Sequence, residues 1–202
     1  MANTKTIYFD GGDGSGKTTQ IELAKKSLEV RSFTVLVTRA LGGSLIGEEL
    51  RNVILSDLSR PPETDMHIAL ASQYALNEVI SGQNYDYILI DRSPLSIIAY
   101  QAYADKMDKN LAINQVNILL EKTKPDLIII FDANANDLNS RRSHRNNHNG
   151  TDYFESKDIT YHQKVAEGYR FAGNLYKAEL IDATKSIDTI HRETMGLINA
   201  LK

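Results

Sequence analysis

Glycines, a lysine and a threonine near the amino terminus form the pattern in this sequence that is best suited to chemistry. Residues 11–18 read Gly-Gly-Asp-Gly-Ser-Gly-Lys-Thr, which fits the phosphate-binding pattern Gly-x4-Gly-Lys-Ser/Thr. Such glycines let backbone amides turn toward one anion, and a helix beginning near Gly16 adds the positive end of its dipole. Lys17 would bind the β- and γ-phosphates of a nucleoside triphosphate, and Thr18 would offer its hydroxyl to Mg²⁺.

A carboxylate and an arginine follow a second apolar segment. Residues 88–90 are Ile-Leu-Ile, and Asp91 and Arg92 come directly after them. An acid at the end of a strand beside such a loop can support the metal ion. Arg92 at the same edge of a parallel sheet could grip a second phosphate with two N–H groups, as a kinase requires. The guanine-reading pattern Asn-Lys-x-Asp is absent from the sequence, which argues against a GTPase.

A polar segment separates the last two apolar runs of the chain. Residues 139–152 carry no apolar side chain but include Arg141, Arg142 and Arg145. An insertion of this kind is either a functional lid or a disordered loop. Arginines that arrive when a lid closes would stabilise the charge of a phosphoryl group in transfer and exclude water. We therefore expect a lid at about residues 139–153.

The elements that must position these residues alternate between short apolar runs and stretches with helical spacing. The runs are residues 6–9, 33–37, 87–90, 127–131 and 180–181. This alternation predicts an α/β protein with three layers, α/β/α, around a five-stranded parallel sheet. We expect helices after Gly16, from Pro61-Pro62 to Ser81-Gly82, after Pro94, and over residues 111–120.

Composition excludes several classes of protein. The chain has 202 residues, of which 42% are apolar and none is cysteine, with a net charge of −3. It therefore holds no disulfide scaffold, cysteine zinc cluster or thiolate nucleophile. No apolar run approaches the ~20 residues that span a bilayer. We expect a single domain over residues 1–202, located in the cytoplasm, with no membrane or nucleic-acid partner.

Two longer motifs resemble the thymidylate kinase family of P-loop nucleoside monophosphate kinases. Residues 9–20, Phe-Asp-Gly-Gly-Asp-Gly-Ser-Gly-Lys-Thr-Thr-Gln, are similar to the family's Phe-Glu-Gly-x-Asp-Gly-Ser-Gly-Lys-Thr-Thr-Gln. Residues 91–101, Asp-Arg-Ser-Pro-Leu-Ser-Ile-Ile-Ala-Tyr-Gln, resemble its Asp-Arg-Tyr-x-x-Ser-x-x-Ala-Tyr-Gln signature. The resemblance implies a P-loop nucleoside-kinase fold with ATP and Mg²⁺ as cofactors, a nucleoside monophosphate as acceptor, and a homodimer.

The resemblance also implies roles for individual residues. Asp13 would lie near the 3′-hydroxyl of the acceptor sugar, Arg92 would hold the acceptor phosphate, and Tyr100 would pack beside the deoxyribose. Gly14 stands where some members of the family carry a catalytic arginine, so an arginine of the lid would take that catalytic role here. The implied catalytic residues are Asp13, Lys17, Arg92, Arg141, Arg142 and Arg145. The implied ATP-binding residues are Gly11, Gly12, Asp13, Gly14, Ser15, Gly16, Lys17, Thr18, Thr19, Asp182 and Ala183, with Thr18 and Asp91 toward the metal. The implied acceptor-binding residues are Asp10, Arg39, Arg51, Ser72, Gln73, Arg92, Ser96, Ile97 and Tyr100.

The sequence departs from the family where the base is read. The family places an arginine against the thymine carbonyl on the helix before the third strand, but here neither Arg nor Lys occurs between Arg60 and Arg92. Ser72 or Gln73 falls nearest that position, and Ile97 stands where a small or amide residue commonly meets the base. The family's Thr-Arg-Glu-Pro-Gly-Gly is Thr-Arg-Ala-Leu-Gly-Gly at residues 38–43. We therefore expect a retained reaction with an acceptor that need not be dTMP.

Two other functions remain open at this point. A deoxynucleoside kinase would also need a P-loop and an arginine beside an acidic strand end, and Asp10 could then deprotonate a 5′-hydroxyl. A nucleotide-binding module would bind ATP without transferring its phosphoryl group.

Overall fold

Five parallel strands form the central sheet in the computed structural model, which describes residues 4–138, 141, 153–154 and 156–201. The strands are β1 (Lys5–Asp10), β2 (Val35–Arg39), β3 (Tyr87–Asp91), β4 (Leu127–Asp132) and β5 (Glu179–Asp182). Their order across the sheet is β2-β3-β1-β4-β5. Because all strands are parallel, their carboxyl ends meet at one edge, where the P-loop, Asp91 and Arg92 lie.

The helices begin and end close to the predicted signals. They are α1 (Lys17–Val30), α2 (Leu45–Leu55), α3 (Pro62–Ile80), α4 (Leu95–Ile97), which continues as a π-helix (Ile98–Ala104), α5 (Lys109–Thr123), α6 (Ile159–Tyr176) and α7 (Ile187–Asn199). Ser44, Asp108 and Asp158 cap α2, α5 and α6 by accepting a hydrogen bond from a backbone N–H of the first turn. A further helical turn covers residues 135–138.

Apolar side chains fill both faces of the sheet, which confirms the three-layer prediction. Ile7 and Phe9 of β1 point into a core shared with α1 and α7, which includes Ile21 and Ile190. Tyr8 points to the opposite face, into the larger core that α3, α4, α5 and α6 help to form. Successive side chains of a strand face opposite sides, so a doubly covered strand must be apolar throughout.

Two glycines, Gly11 and Gly168, allow close contacts between the segments that position the site. Gly11 has a φ of +133°, and a Cβ there would lie 2.5 Å from the Phe131 carbonyl oxygen of β4. Gly168 of α6 lies against the π-helix, where a Cβ would come within 2.6 Å of Ala99 Cα and 2.9 Å of Tyr103 Cβ. These contacts seat the P-loop against the sheet and the π-helix against α6.

The predicted lid lies mostly outside the described residues. Of residues 139–153, the structure describes only Arg141 and Tyr153, so the lid and the single-domain organisation of residues 1–202 stay predictions. Within the described part of the chain, no helix has both the length and the apolar character needed to cross a membrane.

Candidate functional site

The P-loop, residues 11–16, joins β1 to α1 and wraps around the side chain of Lys17. The Lys17 Nζ donates hydrogen bonds to the carbonyl oxygens of Gly11 at 2.9 Å and Gly12 at 3.0 Å. Burial and the nearby Arg92 lower the pKa of Lys17, against the opposing effect of Asp13 and other carboxylates. The ammonium group is thus held against the backbone of the loop.

Thr18 and Asp91 lie side by side because β1 and β3 are neighbours in the sheet. Phe9 of β1 pairs with Asp91 of β3, and the P-loop leads from β1 to Thr18 in the first turn of α1. There Thr18 Oγ1 donates to Asp91 Oδ2 at 3.2 Å. A hydroxyl and a carboxylate are oxygen ligands of the kind Mg²⁺ prefers. The described residues contain no group of three or more His, Cys, Asp or Glu side chains that could hold a metal alone. The donor set therefore suits Mg²⁺ that is also bound by nucleotide phosphates and water.

Arg92 occupies a strained backbone position at the end of β3. Its φ is +70°, and its backbone N–H donates to the Phe9 carbonyl at 2.8 Å. Its guanidinium is paired with Asp13 and also donates to the hydroxyls of Tyr100 at 3.3 Å and Tyr169 at 3.2 Å. Left-handed backbone at a non-glycine residue is uncommon and clusters at functional sites.

The charges of the Arg92–Asp13 pair are mutually stabilised. Burial alone would lower the pKa of Arg92, but Asp13, with Tyr100, Tyr169 and Asp10, raises it well above its ordinary value. Burial likewise tends to raise the pKa of Asp13, but Arg92, Lys17 and the Tyr100 hydroxyl hold it well below its usual range. Both groups are therefore charged at neutral pH, and Arg92 is a half-buried cation available to an anionic ligand.

Asp10 is fully buried next to this pair and accepts hydrogen bonds from the segments around it. Its carboxylate accepts hydrogen bonds from the backbone N–H groups of Gly11 and Ser93, both at 2.9 Å. The hydroxyls of Ser93 at 2.6 Å, Ser96 at 3.0 Å and Tyr169 at 2.7 Å also donate to it. Because these donors occupy both oxygens, Asp10 presents no free oxygen to a substrate hydroxyl, which weakens the deoxynucleoside-kinase alternative.

A cavity of about 950 Å³ connects the P-loop with α2, α3 and the π-helix. The predicted site residues on its wall are Asp13, Gly14, Gly16, Lys17, Thr18, Thr19, Arg39, Arg51, Gln73, Asp91, Arg92, Ser96, Ile97, Tyr100 and Arg141. Apolar residues that also line it include Leu41, Ile54, Leu55, Ala69 and Phe154. The cavity thus joins a cationic phosphate region to a largely apolar pocket within one space.

Two arginines of the cavity wall, Arg39 and Arg51, form hydrogen bonds at the altered segment 38–43. Arg39 pairs with Glu48, with Nη2 and Oε2 2.5 Å apart, and Glu48 Oε1 also accepts from the Gly43 N–H at 3.0 Å. Arg51 Nη1 donates to the Leu41 carbonyl at 3.2 Å. These bonds shape the loop in the absence of the family's proline.

Several predicted site residues lie away from the cavity wall. Ser72 is fully buried, and its hydroxyl donates to the Ala40 carbonyl at 2.9 Å and accepts from the Gly42 N–H at 3.2 Å. Asp182 accepts from the N–H and hydroxyl of Thr184. The others off the wall are Asp10, Gly11, Gly12, Ser15 and Ala183. Arg142 and Arg145 lie outside the described residues. The ATP-binding roles of Asp182 and Ala183 stay predictions, whereas the Ser72 hydroxyl is engaged in supporting the loop.

Tyr169 is a site residue that sequence reasoning missed. Its spacing on α6 is that of a core residue, and its ring is indeed buried. Its hydroxyl, however, connects Arg92, Asp10 and Ser96. The one available signal was its place in the segment Gly168-Tyr169, which continues the family resemblance.

The geometry is that of a P-loop kinase, with a second cationic region, around Arg92, in the same cavity. The sequence model of the family described as Thymidylate kinase matches residues 9–194. The chain belongs to the thymidylate kinase family and is an ATP-dependent nucleoside monophosphate kinase, which confirms the class predicted from the P-loop and Arg92.

Relatives of similar length support this assignment. Thymidylate kinase from Acholeplasma laidlawii (strain PG-8A) is 34% identical over 198 residues, covering 95% of this chain and 97% of the relative. Thymidylate kinase from Staphylococcus haemolyticus (strain JCSC1435) is 32% identical over 206 residues, covering 97% and 98%. The match therefore extends over nearly the full length of both proteins.

Proposed function

We propose that the protein transfers the γ-phosphoryl group of ATP to dTMP or a related deoxynucleoside monophosphate, giving the diphosphate and ADP. The observation that carries the proposal is the half-buried Arg92, which lines the same cavity as Lys17 and is kept charged by Asp13. A cation at that position suits a second phosphate. The relatives are named for thymidylate, which makes dTMP the first acceptor to test.

The chemistry of a phosphate acceptor removes the need for a catalytic base. A phosphate monoester has a second pKa of about 6, so its oxygen is already an anionic nucleophile at neutral pH. A nucleoside hydroxyl would instead need a positioned base. Because Asp10 is saturated with hydrogen bonds and Asp13 is paired with Arg92, the site suits the phosphate acceptor.

Positioning and charge stabilisation supply the rest of the mechanism. Lys17 lies where it would bind the β- and γ-phosphates, and Arg92 would bind the acceptor phosphate, so the two anions are brought together despite their repulsion. Arg141 lines the cavity and would approach the transferring group. We extend this role to Arg142 and Arg145 of the proposed lid.

Magnesium is part of the proposal, with Thr18 and Asp91 as the residues that would hold it. Bound there, the ion would neutralise charge on the ATP phosphates. We expect Asp91→Asn to raise the Mg²⁺ concentration for half-maximal activity by about tenfold, because loss of a carboxylate beside the ion weakens metal binding by roughly that factor. The check is a Mg²⁺ titration beside Asp57→Asn, an exposed control. An unchanged Mg²⁺ requirement in Asp91→Asn would contradict the assignment.

A homodimer in the cytoplasm completes the proposal. The family resemblance supports the dimer, and the use of ATP and a nucleotide acceptor supports the location.

The test is an ADP-release assay with ATP and Mg²⁺ against nucleoside monophosphates and free deoxynucleosides. We expect turnover with monophosphates and a loss of at least about a hundredfold in Lys17→Ala. Lys26→Ala on the exposed face of α1 is the matched control. Turnover with nucleosides alone would make the protein a deoxynucleoside kinase. ATP binding with no transfer would make it a binding module.

A further inference from the structure

The buried face of α3 carries an amide side chain, that of Gln73, at the wall of the cavity. Gln73 lies one helical turn after Ala69 and one before Leu76, is 5% exposed, and lines the cavity wall. Its Oε1 is shielded from solvent and has no hydrogen-bond partner among the residues that the structure describes. A buried oxygen without a partner is unfavourable unless a ligand donates to it.

The surroundings of Gln73 suit a base better than a phosphate. Ala69 on the same helix and Ile54, Ile97 and Phe154 from other segments form apolar parts of the same wall. The Phe154 ring meets the Tyr100 ring edge to face, with centroids 5.5 Å apart. The flat faces of a base could pack between such side chains, and Gln73 would then contact the polar edge of the base.

A glutamine amide can pair with two different pyrimidine edges. It has one acceptor oxygen and one donor nitrogen, and rotation about its last torsion exchanges their places. In one orientation it donates to O4 and accepts from N3–H of thymine or uracil. In the other it accepts from the 4-amino group and donates to N3 of cytosine. An arginine has donors only and favours the 4-oxo edge.

We propose that Gln73 reads the N3/C4 edge of the acceptor base and admits both 4-oxo and 4-amino pyrimidine monophosphates. The inference rests on the nucleoside monophosphate kinase function proposed above. No described residue fixes Oε1 in one orientation, and neither Arg nor Lys lies between Arg60 and Arg92 to impose the 4-oxo edge from α3. The α3 side of the site therefore lacks the selectivity that a donor-only side chain at this position would give.

The experiment compares kcat/KM for dUMP and dCMP, which differ only at this edge, and for dTMP and 5-methyl-dCMP. We expect each ratio to lie within about tenfold in the unaltered protein. Gln73→Arg should favour the 4-oxo member of each pair by more than about tenfold. Gln73→Met, which keeps the volume but removes the amide, should lower kcat/KM for all four by about tenfold without changing the ratios. Gln83→Arg, at an exposed glutamine, is the control for added charge.

The outcomes separate this inference from the proposed function. Turnover of dTMP with rejection of dCMP and 5-methyl-dCMP by more than about tenfold would overturn the role of Gln73 and leave the kinase assignment in place. Unchanged kcat/KM in Gln73→Met would also overturn it, and this variant covers the case in which Gln73→Arg does not fold. Absence of turnover with every monophosphate would overturn the proposed function itself.

Discussion

Tyr169 provides a direct test of the hydroxyl network around Arg92 and Asp10. We expect Tyr169→Phe to raise the KM for the acceptor about three- to tenfold, because Arg92 and Asp10 each lose one charge-assisted hydrogen bond. The KM for ATP should change little. Steady-state kinetics with each substrate varied in turn checks this, beside Tyr176→Phe on the same helix, whose hydroxyl bonds to Asn117 instead. An effect confined to the KM for ATP would refute the network's role.

Among single side chains, the P-loop motif and the strand-end pair could be predicted because local chemistry determines them. Lys17, Thr18, Asp91 and Arg92 follow directly from short patterns, and the structure brings all of them to one cavity. Asp10 and Tyr169 could not be assigned in this way. Their hydrogen bond joins positions 159 residues apart in sequence, so only the folded packing of α6 against the sheet reveals it.

Asp105 gives a pH dependence of stability. Burial and the nearby Asp65 raise its pKa from 3.8 to about 6. The fold therefore favours the protonated carboxyl, and stability is lost as pH rises from about 4 through 6. We expect Asp105→Asn to raise the free energy of unfolding by about 1 kcal/mol at pH 8, reduced for partial exposure, and to change it little at pH 4.5. Urea unfolding at both pH values, beside exposed Asp57→Asn, measures this. A gain larger at pH 4.5 would reverse the assigned sign.

At the level of helices and strands, the apolar runs predicted every strand to within about two residues, because a doubly covered parallel strand has a simple sequence pattern. Pro62 and Ser81 likewise marked the ends of α3. The π-helix over Ile98–Ala104 was not predicted. Its local sequence is ordinary, and the distinguishing contact is the close approach of Gly168 from α6.

Gly168 should therefore be far less tolerant of a methyl group than another helical glycine. We expect Gly168→Ala to lower the free energy of unfolding by about 1–3 kcal/mol, since the added Cβ would overlap Ala99 and Tyr103. Gly196→Ala on α7 is the matched control. Apart from its chain neighbours and the backbone of its own helix, no atom of the described residues lies within 4 Å of its added Cβ, so it should gain up to about 1 kcal/mol from helix propensity. Equal effects of the two substitutions would show that α6 and the π-helix are not closely packed.

For the protein as one unit, the parallel sheet was enough to predict where a cavity would form. Loops at the carboxyl edge of an open α/β sheet converge there, and the cavity lies at that edge. The shape of the apolar part of the cavity could not be predicted, since its wall combines side chains from distant segments such as Leu41, Ala69 and Phe154. Ser72 and Gln73 were equivalent candidates in sequence. The direction of α3 places Gln73 on the wall and engages Ser72 with the 40–42 loop.

The most direct measurement is to follow the γ-phosphate of labelled ATP when the protein is incubated with Mg²⁺ and dTMP. We predict that the label appears as the β-phosphate of dTDP, in an amount equal to the ADP formed, and that Lys17→Ala abolishes both products. Release of the label as inorganic phosphate, or its transfer to thymidine but not to dTMP, would contradict the assignment of Arg92 as the site of an acceptor phosphate.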